Sequence, residues 1–486
     1  MLRVILTVLT LSHGNEGLPA KAPDAVGMSS SRLEAIDRVV QRGISAGGYP
    51  GASVVVGRKG AAVWEKGFGK LSWSPVSPAV DADKTIYDIA SLSKVVGTTT
   101  AIMLLYDEKK VDLDAPVFRY LPAFSGGLKD NVTVRELLTH RSGLPAGRDL
   151  WRIAHSPQEA RDLVLSTQLE YVPDQAYIYS DLGADVLGMI VEAVSGERLD
   201  RFLARRVFGP LGMHDTFYRP ADSLRYRIAP TEVTPPRGYP LQGEVHDENA
   251  YALGGIAGHA GLFSTAADLS IFAQMMLNGG TYDGVSIISE PTVSLFTHRA
   301  GFVGHRALGW DTADGDYGSG QYLTERAYGH TGFTGTSIWI DPDREMFVIL
   351  LTNRVHAAKA SHPGKVIADV RADLSDAAVL AVMDGPMPTL AMPLAFRADR
   401  EDGWNTPIRP VRCSAVKSRR GKSVRSSRSR ARVSCRLASS SRKSRSSSAK
   451  SRSSTRHHSS ASSSSKKHSK SSAKKTSAKK SSRPRR

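Results

Sequence analysis

An α/β (α+β) domain, with an antiparallel sheet flanked by helices, is what this chain predicts, and three observations predict it. Two apolar, β-branched runs, 52–57 and 61–65, are joined by Arg58-Lys59-Gly60, which is the pattern of a hairpin. Two more, 336–340 and 346–352, flank the turn Asp341-Pro342-Asp343-Arg344. Between these pairs the strongest periodic signals are helical. Strands from both ends of the body therefore complete one sheet. The helices between them form an all-helical insertion, with a cleft between the two parts.

Taken in order, Ser31-Arg32-Leu33-Glu34 reads as a capping box opening a helix with Leu33, Ile36, Val40 and Ile44 on one side. Gly47-Gly48-Tyr49-Pro50-Gly51 ends it, and the hairpin follows. A run of small and apolar residues, 95–105, reads as a buried helix. Thr133-Val134-Arg135-Glu136 and Ser156-Pro157-Gln158-Glu159 are two more capping boxes, the second with Pro at the first helical position. Helices are predicted over 182–195, stopped by Gly196, and over 199–207. Another runs from Thr265 through Leu277 to Gly279-Gly280, and a last one lies within 366–383.

Charge divides the chain. Residues 411–486 hold 26 Lys and Arg, 29 Ser among 76 residues, and no Asp or Glu. The rest carries 39 basic against 47 acidic residues, so the net +18 belongs to the tail. The tail has too few apolar groups to offset chain entropy and is expected to be disordered. Its charge would bind polyanions in a salt-dependent way: a wall polymer, an anionic lipid surface or nucleic acid. Both cysteines, Cys413 and Cys435, lie there, which excludes a disulfide or a thiolate site in the body. Residues 1–22, with one Arg, a short apolar run and Ala20-Lys21-Ala22, read as a signal peptide, so the protein is expected to be exported to the periplasm or cell envelope, with a cytoplasmic location as the alternative. No later stretch reaches membrane-spanning length. The expected domains are a body over 23–385, a linker over 386–410 and the tail.

Chemistry concentrates at Ser91-Leu92-Ser93-Lys94. Ser and Lys three apart share one helical face. A Ser hydroxyl needs a base, and a Lys desolvated beside it can lose its own proton and assist. The Ser91 N–H, free at the helix start, can hold an oxyanion. Downstream, Tyr179-Ser180-Asp181 precedes a helix, and a Tyr near an ammonium can serve as a base. His330-Thr331-Gly332 precedes a strand. Gly332 permits close approach of substrate, and the N–H of Phe333 could then supply a second oxyanion donor. His330 either bonds near Ser91 or Tyr179 or holds a substrate carboxylate.

These three motifs, in this order, resemble the class C β-lactamase and D-alanyl-D-alanine carboxypeptidase superfamily of penicillin-binding-protein-related serine hydrolases. Supporting stretches are 137–144, Pro210-Leu211-Gly212-Met213-His214-Asp215-Thr216, and 258–265. The resemblance runs from about residue 25 to about 357 and implies a β-lactamase/transpeptidase-like fold. It also implies acylation of Ser91, proton transfer by Lys94 and Tyr179, and substrate and oxyanion binding by Asp181, His330, Thr331, Gly332 and Phe333. Two departures stand out. The family usually has Asn where this chain has Asp181, which only accepts when ionised. Its lactamases usually carry Lys where this chain has His330. Both argue against efficient β-lactam hydrolysis and for a carboxypeptidase or esterase acting on a small peptide or ester, peptidoglycan included.

His246, Asp247 and His259 match no metal-site spacing, so a loop-bracing hydrogen-bond network is expected there and neither metal nor cofactor is. A triad of Ser91, His246 and Asp247 is the competing catalytic assignment. Two other function classes stay open: a catalytically weak envelope peptide-binding protein, and a polyanion binder acting through the tail.

Overall fold

The computed structural model describes residues 17–299, 304–315, 318–385 and 387–400, together with 413–414 and 434–435. Most of the expected signal peptide, and nearly all of the expected disordered tail with its polyanion-binding charge, lie outside the described residues. The chain forms two units, Met1–Arg409 and Pro410–Arg486. In the second, Cys413 pairs with Cys435 and Ser414 with Ser434 as a short antiparallel bridge. No helix among the described residues is long and apolar enough to cross a membrane.

The first unit is built on one antiparallel sheet of six strands. We label them β1 (Gly51–Arg58), β2 (Ala61–Gly69), β3 (Asp311–Thr312), β4 (Tyr328–Thr331), β5 (Ser337–Asp341) and β6 (Met346–Thr352). Their order across the sheet is β2-β1-β6-β5-β4-β3, so the N-terminal hairpin joins the C-terminal strands directly. Val54 faces Leu350 and Val55 faces Ile349 across that junction. The period of two sorts side chains between layers. Val54, Val56, Met346, Val348 and Leu350 pack with helices α1 (Ala35–Ser45) and α6 (Pro363–Leu380). Val55, Ile338, Ile340, Phe347, Ile349 and Leu351 face the larger core under the helical part. The expected fold class, with its sheet of strands from both ends and its helical insertion, is the observed one.

On that second face a wide-turn segment, Lys94–Thr99, leads into α2 (Thr100–Asp107), and α3 (Val134–Leu138), α4 (Asp181–Ser195) and α5 (Ala266–Leu277) pack around it. The caps follow the side chains available. Thr133 and Glu136 form the expected reciprocal box, and Thr265 caps α5. Ser156 caps its helix as expected, but Glu159 accepts from His155 N–H rather than closing a box on Ser156. The helix expected to open at Ser31 is preceded by a short helix, Ser30–Leu33, that leads into α1 and is capped by Ser29, not Ser31. The extended backbone at Ser29 brings its hydroxyl over the N–H of Arg32. Residues 387–400, read from sequence as the start of a linker, fold back on α6. Phe396 and Ala398 are buried, and Asp373 accepts from the N–H groups of Arg397 and Ala398.

Candidate active site

Ser91 sits on a strained elbow. Ala90 before it has φ 47°, a left-handed conformation that costs a residue with a Cβ about 1 kcal/mol. The elbow is held by Asp88, whose buried carboxylate accepts from Ala90 N–H at 2.8 Å and from His246 N–H at 2.7 Å. Burial pushes that carboxyl up from its usual range, against the two backbone donors.

Lys94 lies one turn on and donates from Nζ to Ser91 Oγ at 3.0 Å and to the His259 carbonyl at 3.1 Å. Its third neighbour is Asp181 Oδ1, 2.7 Å away. Desolvation acts on this lysine in the expected direction, but it is not the net effect. Lys94 is buried, and burial does work against its charge, but the adjoining Tyr179 phenol and Asp181 carboxylate outweigh it and raise the pKa. It stands at neutral pH as an ammonium.

Tyr179 and Asp181 reach this point because Ser180 caps α4, accepting from Gly183 N–H at 3.1 Å and donating to the Pro145 carbonyl at 2.6 Å. The Tyr179 ring lies 5.0 Å from Lys94 Nζ, 5.4 Å from the Arg306 guanidinium, 4.6 Å from the His140 ring and 6.0 Å from the His330 ring. Both imidazoles are buried. Burial, with Arg306 and Lys94 nearby, holds His140 well below the ordinary histidine range, and burial brings His330 down to about 4. The phenol thus stands among two cations and two uncharged rings.

His330 faces the helical side, paired across β4–β5 with Ile338. Its Nδ1 lies 2.8 Å from the Thr331 carbonyl, which can only accept, so the ring proton is there. Nε2 has no partner. An uncharged ring whose proton is committed has none to give a carboxylate. The cation in this corner is Arg306, which pairs with Asp311 at 2.8 Å and donates to Tyr177 Oη at 3.0 Å; its buried Nη1 has no partner among the described residues.

Thr331 closes β4, and Gly332 begins the turn that leads to β5. A Cβ on Gly332 would collide with the Ile89 carbonyl and Thr336 Oγ1, so only glycine brings this turn against the elbow. The amides of Ser91 and Phe333 make no hydrogen bond among the described residues. The Phe333 ring is exposed and stacks on His246, centroids 5.6 Å apart.

The loop residues of unassigned role form the expected network. His259 Nδ1 pairs with Asp185 at 2.7 Å and Nε2 with Asp247 at 2.9 Å. Although burial opposes it, the two carboxylates raise the His259 pKa well above the ordinary range, so it is an imidazolium with both protons committed. His246 Nε2 turns to Glu232 at 2.9 Å. The triad alternative has no hydrogen bond from His246 to Ser91 or Asp247 among the described residues.

Sequence reasoning thus assembled Ser91, Lys94, Tyr179, Asp181 and the 330–333 turn, which the structure brings together. It missed His140 and Arg306. His140 lies in a stretch already singled out, but Arg306 sits in a Gly-rich loop with no motif to mark it.

Comparison with known proteins bears on this arrangement. A family model described as Beta-lactamase matches residues 36–372. A protein of Salmonella agona (strain SL483), provisionally named a D-alanyl-D-alanine carboxypeptidase, is 33% identical over 379 residues, covering 71% of this chain and 88% of its own length. The structure of a penicillin-binding protein homologue from Caulobacter crescentus aligns with TM-score 0.56 and 21% identity, over 72% of this chain and 99% of that one. EstCE1, described as a hydrolase with promiscuous acyltransferase activity, aligns with TM-score 0.57 and 22% identity over the same shares, 72% and 99%. At such identities the structural likeness is one of fold.

Proposed function

The chain belongs to the beta-lactamase family as a serine hydrolase, and on that premise we propose that it acts through an acyl-enzyme on Ser91, as a carboxypeptidase for D-Ala-D-Ala-type peptide ends. The observation that carries this is the 3.0 Å contact of Lys94 Nζ with Ser91 Oγ, beside Tyr179. Ser91 Oγ attacks the carbonyl carbon. With Lys94 held as an ammonium, Tyr179, beside Lys94 and Arg306, is the group left to receive the hydroxyl proton. The C–N bond breaks as the proton passes to the departing amine. Water then releases the acid by the reverse route.

Two features favour a peptide end over a neutral ester. Arg306 Nη1 offers an unused charge-assisted donor beside Tyr179, suited to a terminal carboxylate. The provisionally named carboxypeptidase supports the same choice. A wall-peptide substrate also agrees with the expected export. Slow β-lactam turnover is part of this reading, because Asp181 gives no amide donor to a lactam carbonyl.

The test is labelling of the purified protein with a fluorophosphonate and a fluorescent penicillin, alongside release of D-alanine from a diacetyl-Lys-D-Ala-D-Ala tripeptide. Both labels and D-alanine release should vanish in Ser91→Ala. Labelling without turnover of any peptide or ester would point to the peptide-binding alternative. Labelling that survives Ser91→Ala would remove the nucleophile assignment.

A further inference from the structure

The turn carrying Phe333 is clamped from two sides. On the nucleophile side, Thr334 Oγ1 donates to the Asp88 carbonyl at 2.7 Å and Thr336 Oγ1 to the Ile89 carbonyl at 3.0 Å. These are the peptide groups leading into the Ser91 elbow. On the other side is Arg371 of α6, the helix on the opposite face of the sheet. Its Nη2 donates to the Gly332 carbonyl at 2.6 Å and the Thr336 carbonyl at 2.8 Å. Gly335 N–H donates to the Gly332 carbonyl as well, at 3.0 Å.

The Gly332 carbonyl and the Phe333 N–H belong to one peptide plane. In a trans peptide they point in opposite directions. A guanidinium that draws the carbonyl toward the α6 face therefore turns the N–H toward the helical face, where Ser91 stands. Arg354 steadies the next unit, donating from Nε to the Phe333 carbonyl at 3.1 Å, with its guanidinium 4.7 Å over the Phe333 ring.

Building on the assignment of Ser91 as nucleophile, we propose that Arg371 is a positioning residue for catalysis: it fixes the Gly332–Phe333 peptide so that Phe333 N–H joins Ser91 N–H as an oxyanion donor. Arg371 does not touch the reacting atoms. It acts from across the sheet by setting the orientation of one peptide plane. Preorganised donors matter because a peptide free to rotate must be ordered in the transition state, and loss of one oxyanion donor lowers kcat by about 10²–10³.

The experiment compares Arg371→Met and Arg371→Lys with the unsubstituted full chain, using p-nitrophenyl acetate as substrate and phenylboronic acid as probe. The boronic acid adds to Ser91 as a tetrahedral adduct whose oxygen occupies the oxyanion position. In Arg371→Met, kcat should fall about 10- to 100-fold while KM changes by less than about twofold. Boronate affinity should fall by the same factor as kcat. Arg371→Lys keeps a charged donor between the two carbonyls and should recover most of both. Should Arg371→Met fail to fold, Arg371→Gln, with one neutral donor, takes its place and should show a smaller parallel loss. A lowered melting temperature with kcat and boronate affinity at their original values would assign Arg371 a structural role only and overturn the proposal. That outcome leaves the nucleophile assignment standing, provided Ser91→Ala is inert; activity in Ser91→Ala would instead remove the premise.

Discussion

Lys94 Nζ and Asp181 Oδ1 stand 2.7 Å apart beside the Ser91 hydroxyl, and Tyr179 together with this carboxylate raises the Lys94 pKa. On the mechanism proposed above, the lysine orients and stabilises rather than deprotonates, and Tyr179 moves the proton.

Asp181→Asn tests that assignment of roles. Removing the carboxylate lowers the Lys94 pKa, and the new amide gives a donor to a substrate carbonyl. The alkaline limb of ester hydrolysis should move to lower pH, and acylation by a fluorescent penicillin should become faster. An unchanged penicillin rate would show that the missing donor does not limit lactam chemistry. Rapid nitrocefin hydrolysis by the unsubstituted protein would overturn the whole expectation of weak lactamase activity.

Lys94→Ala and Tyr179→Phe should each lower kcat for activated esters by about 10²–10⁴, the range of general acid–base groups. Tyr179→Phe keeps the ring against His140 and His330, so its melting temperature should stay at the original value. Full activity in Tyr179→Phe with loss in His246→Ala would favour the triad instead.

Acid should destabilise the protein through His330. Its folded pKa is near 4, below the ordinary value of about 6.5, so the unfolded chain binds the extra proton between these limits. The contribution is complete above about pH 6.5 and is lost as pH falls toward 4, on the order of 3 kcal/mol in all. His140 acts in the same direction, and His259, whose pKa is raised, does not weaken in this range. Melting temperatures measured across this interval should fall less steeply in His330→Gln. Parallel curves would show that the buried ring is not the sensor.

A chain ending at Pro410 should hydrolyse esters as the full chain does, while one ending at Gly385 should melt earlier. The shorter cut exposes the apolar surface covered by Phe396 and leaves Asp373 without two backbone donors. Ester hydrolysis and thermal melting of both chains decide it. Loss of activity in the longer one would mean that the site needs residues beyond 410.

What was legible in the sequence was what local pattern carries. The strands of β1, β2, β5 and β6 announce themselves by β-branched runs and turns, and Thr133, Thr265 and Gly196 mark helix ends by chemistry confined to four residues. The motifs around Ser91, Tyr179 and His330 were visible for the same reason. The charge on Lys94 was not, because it depends on Asp181, which the fold brings from another helix. Arg306 and Arg371 stayed hidden likewise. Each acts through groups distant in sequence, and no spacing rule flags a lone arginine whose partners are an aromatic ring or two carbonyls.

The junction of β1 with β6 has a consequence for how the molecule comes into being. Arg58 pairs with Met346 and Ala52 with Thr352, so the first hairpin made has its central partner almost last. During synthesis β1 presents an unpaired edge while the whole helical part is still being built. Such late closure of distant segments slows folding and leaves an open edge for association with other chains. The nascent chain is thus most exposed to aggregation before β6 emerges, and a ribosome stalled ahead of Met346 would hold a half-built sheet in which the Gly332 turn has no α6 behind it.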